Sequence, residues 1–210
     1  MAIYSTFFLA RPQELLAGFP GWKPPLAEPV VRRVKNPFTG EAMSVTSCAP
    51  DWSDLESEDP QLPEIRVVVG SGDYGAYLEG RIPDFVRQSP HWCSKNLTNI
   101  EIEPLIAIVT ANEETSLESA IYAPPSSGSG VEAIPEDFLV ALAILDDVSL
   151  RRIAEAWAAE LSTPDFTHSV SGERINDDCA AEDVLPVVNS LVSLARRRTD
   201  GQSIYLLIEA

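Results

Sequence analysis

The sequence predicts an α+β fold, a mostly antiparallel sheet that includes the N- and C-terminal strands and packs against a C-terminal helical segment of about three helices. Three observations predict it. Between Ile134 and Glu209 apolar residues recur in three stripes at helical spacing. That segment then closes on Ser203 to Glu209, which puts Ile204, Leu206 and Ile208 on one face of a strand. Ile3 to Leu9 has the aromatic and β-branched composition of a strand as well. So apolar a closing segment is expected to be tied into a sheet, with the N-terminal strand as its partner. The 210 residues read as a single domain. Residues 1–123 form a mixed part of strands and short helices, 124–130 a flexible loop, and 131–210 a helical part with the closing strand.

Taken in order, Ile3 to Leu9 is followed by one helical turn over Gln13 to Ala17. The run Gly18-Phe19-Pro20-Gly21-Trp22, with Pro24, Pro25 and Pro29, reads as an extended connection whose aromatics anchor on the core. Val30 to Lys35 and Ala42 to Cys48 are strand-like and separated by Asn36 to Gly40, where Pro37 and Gly40 suit a hairpin turn. Asp51 to Pro60 is an acidic loop without a basic residue, and Ile65 to Val69 is a strand. Pro83 to Gln88 reads as a short helix, Asn96 to Glu103 as a strand around Ile100 and Ile102, and Ser116 to Tyr122 as a helix. The pattern leaves Leu105 to Thr110 open between helix and strand.

The closing segment is the most legible. Pro135, Glu136 and Asp137 suit a first helical turn, and Phe138, Leu139, Leu142 and Leu145 make its apolar face. Asp146-Asp147 offers a carboxylate to cap a second helix, with Leu150, Ile153, Ala154, Trp157 and Leu161 on its inner side. Val184, Leu185, Val188, Leu191, Val192 and Ala195 form the third stripe, with Pro186 in the first turn or at a kink. Arg196, Arg197 and Arg198 complement the helix C-terminus, and Gly201 is the expected cap.

Motifs for chemistry are few. Gly70-Ser71-Gly72-Asp73-Tyr74-Gly75 has dinucleotide-loop spacing after a strand, but Gly80 and Pro83 break the helix that such a loop needs. Cys48, Cys93 and Cys179 with His91 and His168 form no close ligand motif, so neither a metal nor a cofactor is expected. His91-Trp92-Cys93 shows no third group to orient a base, and Trp92 is expected in the core. No catalytic residue is assigned.

Charge is the informative quantity. The chain carries a net −17, which disfavours direct nucleic-acid binding. Residues 101–183 hold 18 acidic against 3 basic residues, whereas residues 1–50 hold 5 basic against 3 acidic. Such segregation suits a face that steers a basic protein partner. The acids expected to contact it are Asp54, Glu56, Glu58, Asp59, Asp146, Asp147, Asp177 and Asp178. Ala2 to Ala10 is too short to span a membrane and lacks a basic leader, so a cytoplasmic protein without membrane attachment is expected.

The assembled pattern, a mixed N-terminal half, an acidic helical segment and a last strand around Ser203-Ile204-Tyr205-Leu206-Leu207, resembles small stand-alone bacterial cytosolic proteins. Some of these are similar to immunity proteins of toxin systems. The resemblance implies a non-enzymatic protein that covers the active site of a cognate toxin, and it carries over no functional residue. Two other readings stand beside it: a nucleotide-binding enzyme using the Gly70 to Gly75 turn, and a structural or regulatory domain whose acidity serves solubility alone.

Overall fold

Two strands with unbroken apolar runs, Tyr4–Ala10 and Ser203–Glu209, lie side by side at the centre of the main sheet. The computed structural model describes residues 4–35, 42–50, 83–95, 97–124, 129–162 and 179–209. In chain order the elements are β1 (Tyr4–Ala10), α1 (Pro12–Gly18), β2 (Val30–Lys35), β3 (Ala42–Ser47), α2 (Asp84–Gln88), β4 (His91–Lys95) and α3 (Asn99–Thr110). There follow β5 (Glu118–Ile121), β6 (Ser129–Ala133), α4 (Glu136–Ala143), α5 (Asp147–Leu161), α6 (Ala181–Arg196) and β7 (Ser203–Glu209). The fold is α+β, as the sequence predicts.

The five-stranded sheet runs β4-β1-β7-β6-β5, and every neighbouring pair is antiparallel. Register along β1 and β7 runs from Tyr4 opposite Glu209 to Ala10 opposite Ser203. Side chains alternate between the two faces of a strand. Phe7, Leu9, Ile204 and Leu206 therefore join the helical layer, packing with Leu105, Leu139, Trp157 and Leu191. Phe8, Ala10, Tyr205 and Leu207 face the other way, onto Leu15, Phe19 and Val86. Both faces are covered, which is why these strands read as continuous apolar runs rather than as alternating ones.

The thinner layer is aromatic. Phe8 meets Phe85 edge-on at 5.8 Å, Phe19 meets Phe85 edge-on at 5.3 Å, and Phe19 lies 4.7 Å from Trp22. The expected anchoring of Phe19 and Trp22 is thus observed. Gly18 ends α1 where the Phe85 ring leaves no room, since a Cβ there would lie 2.2 Å from the ring. Trp92 packs on the helical side, 5.6 Å from Phe7, and Cys93 turns to the opposite face with its sulfur 3.4 Å from Thr6 Oγ1. β2 and β3 form a separate antiparallel pair, from Val30 opposite Ser47 to Lys35 opposite Ala42. The hairpin turn expected over residues 36–40, the acidic run 51–60, and the strand and glycine turn expected over 65–69 and 70–75 lie outside the described residues.

Three expectations are corrected. Asn96 to Glu103 was expected as a strand, but a helix starts at Asn99 and continues through Leu105 to Thr110. A reciprocal cap decides the matter. Thr98 N–H and Oγ1–H donate to Glu101 Oε2 at 2.6 and 2.5 Å, while Ile100 N–H donates to Thr98 Oγ1 at 3.2 Å. Thr98→Ala is expected to cost about 1 kcal/mol of stability, read as a lower urea midpoint at unchanged slope. Ser116 to Tyr122 was expected as a helix, yet Glu118–Ile121 is an edge strand paired with β6. Ser129 and Gly130, expected in a linker, open that partner strand.

Gly201 does not cap α6. The helix stops at Arg196 with Arg197 as its cap, and Gly201 supplies a φ of +77° in the turn that enters β7. Pro186 sits at the sixth position of α6. Among the described residues, no helix is long and apolar enough to cross a membrane.

Candidate functional site: an acidic cleft where two helix ends meet

α3 carries one stripe of residues that is not fully buried, although Ile108 within it also packs against the core. Ile100, Pro104, Ala107 and Ile108 succeed one another along it at helical spacing and form the floor of an open cleft of about 760 Å³. The turn after α3 and the last turn of α5 complete the walls. Trp157 locks the two helices together, since its buried Nε1–H donates to the Glu101 carbonyl at 2.8 Å. Pro104 withdraws the N–H that would otherwise bond the Ile100 carbonyl, so the floor is short of one backbone donor.

The walls are acidic. Glu103, Glu113 and Glu160 line the cleft, and among the described residues no Lys, Arg or His does. Two of these acids stand where helix electrostatics disfavours them, because a helix C-terminus carries partial negative charge that cations, not carboxylates, stabilise. α5 places Glu160 in its last turn and has no basic residue there. α3 likewise has none, ends in a left-handed cap at Ala111 (φ 53°), and is followed by Glu113 and Glu114. The end of α4 obeys the rule. Arg196 donates from Nε and Nη2 to the Ala143 and Leu145 carbonyls at the end of α4, at 3.1 and 2.5 Å. Glu160 from the end of α5 and Glu113 from beyond the end of α3 line the same cleft.

Glu132 adds to this charge from behind. On β6 it stands opposite Leu206, hence on the helical side of the sheet. Among the described residues its Oε2 is buried without a hydrogen-bond partner. Burial pushes the Glu132 carboxyl above its ordinary range, and the charge of Glu103 pushes it further. The folded state therefore holds that proton more tightly than the unfolded chain, and ionisation at neutral pH opposes folding. Glu132→Gln is expected to raise the melting temperature at neutral pH. The gap should close as pH falls through the raised folded value towards that of an ordinary glutamate, which melting curves between neutral and acid pH would check.

Of the acids singled out in the sequence, the two that are described, Asp146 and Asp147, do not line this cleft. Asp146 and Asp147 lie at the α4–α5 corner, thirteen residues before Glu160 at the nearer, or roughly 20 Å along a helix. Asp146 is the N-cap expected of it: Oδ1 accepts from Ser149 N–H at 2.8 Å, and those bonds hold its carboxyl below the ordinary range. Exposed Val140, Ile144 and Val148, at 52%, 80% and 60%, flank the pair in the chain. Asp54, Glu56, Glu58, Asp59, Asp177 and Asp178 lie outside the described residues.

Glu103, Glu113 and Glu160 line the cleft, with Glu132 buried within reach of the Glu103 charge, and sequence reasoning did not single them out. The signal for Glu160 was its place in the last turn of an otherwise well-formed helix; for Glu103 it was hidden by reading that stretch as a strand. Among the described residues, no group of three His, Cys, Asp or Glu side chains is arranged to hold a metal ion. The cleft therefore offers spread negative potential over an apolar floor rather than a point of coordination. Compared with protein-family models, with curated proteins and with solved structures, the chain has no match.

Proposed function

We propose that this chain is a cytoplasmic, non-enzymatic acidic binding protein that docks a basic protein partner, of the immunity type that inhibits a bacterial toxin. The observation that supports it most is the cleft, where two helix C-termini bring Glu113 and Glu160 together with Glu103 and no cation among the described residues lines it. Residues 97–162 around it hold 12 acidic against 2 basic residues, so a basic surface approaching the helical layer is drawn in over several ångströms of solvent. Toxins with anionic substrates carry such surfaces around their active clefts.

The test is co-purification from native lysate at low and high salt with wild type and with Glu103→Lys/Glu160→Lys. A basic protein retained at low salt, released at high salt and lost by the variant is the expected result. Equal retention by the variant, or a partner that is itself acidic, would overturn the proposal.

A further inference from the structure

Resting on that docking reading, we infer that the element of the partner entering the α3 cleft is a basic amphipathic helix of about three turns, with aliphatic side chains on the floor and Lys or Arg side chains at the rim. The shape of the cleft argues for a helix. Its floor runs from Ile100 to Ala111 along one stripe of α3, a length of about 16 Å at 1.5 Å per residue. Ala107 and Ala111 carry small side chains, which lets a second helix approach within the usual interaxial distance of about 8–10 Å. Ile100 stands at one end of the floor and is 56% exposed.

Charge decides what kind of helix. An apolar floor alone would take any aliphatic segment, but Glu103, Glu113 and Glu160 place carboxylates along and at the end of the floor, with two helix C-termini adding to them. A helix with lysines flanking an aliphatic stripe meets both features at once, a recurring mode of helix-in-groove recognition. An acidic or uncharged helix would bury those carboxylates without compensation, which costs free energy. The metal alternative lacks a ligand set among the described residues.

The probe is a fluorescent peptide of about 14 residues with leucines at helical spacing and lysines on the flanks, its binding followed by anisotropy at low salt. Two comparison peptides share its charge: one with a central proline, and an oligolysine. The expected result is measurable binding of the first, about tenfold weaker for the other two, and about tenfold weaker to Ile100→Ser and to Glu160→Lys than to wild type. Asp200→Lys, an exposed acid in the turn before β7 that does not line the cleft, is expected to leave the affinity unchanged. Equal binding of the proline peptide or the oligolysine overturns the helix while leaving acidic docking intact. Equal weakening by Asp200→Lys and Glu160→Lys overturns the cleft as its place. Failure of every cationic probe to bind overturns this inference and the docking reading together.

Discussion

Trp157→Ala is expected to cost about 3–5 kcal/mol, the usual range for truncating a fully buried aromatic. Trp157 is the largest side chain with no exposed surface, and it sits where α5 meets α3. Its removal leaves a cavity and also cuts the bond from Nε1 to the Glu101 carbonyl, so the α3–α5 contact loses both packing and its directional tie. Against a typical stability of about 5–15 kcal/mol this is a large share. A melting temperature lower by on the order of 10 °C is the reading to look for. Trp157→Phe separates the two contributions. It keeps most of the ring volume and loses the hydrogen bond, so a cost nearer 1 kcal/mol is expected. An alanine variant as stable as wild type would mean that α3 and α5 do not depend on this residue for their contact.

Glu113→Lys/Glu160→Lys should move stability and binding in opposite directions. Each lysine replaces a carboxylate at a helix C-terminus with the sign the dipole favours, and gains of roughly 0.3–1 kcal/mol apiece are expected. The same exchange turns the rim of the cleft from attractive to repulsive for a basic partner, and a loss of affinity on the order of a hundredfold is expected. Denaturant melts and a binding assay on one sample measure both. A purely structural role for these acids predicts the reverse of the first result, and acidity that serves solubility alone predicts no change in the second.

What the sequence disclosed and what it hid divide along physical lines. β1, β7 and the helices α4 to α6 were legible because their apolar faces are long and periodic, and Asp146 was legible as a cap because its partner is three residues away. Local chemistry of that kind is written in local sequence. α3 was half missed because Ile100 and Ile102 alternate around acids while Pro104 suggests a break; the cap between Thr98 and Glu101 outweighed both. β5 was missed because Glu118–Ile121 is a short edge strand whose identity comes from pairing with β6. The cleft was invisible for a different reason. Glu113 and Glu160 are 47 residues apart in the sequence and become neighbours only through the packing of α3 on α5.

The central pairing of the sheet has a consequence for how the chain is made. Phe7, Phe8 and Leu9 meet their partners on β7 only when residues 204 to 206 exist, nearly two hundred residues later. At a ribosome adding about 5–20 amino acids per second, that interval lasts roughly ten to forty seconds. Throughout it one edge of β1 stays without its permanent neighbour, while the other edge gains β4 once residues 91–95 exist and one face gains the aromatic layer formed with Phe19 and Phe85.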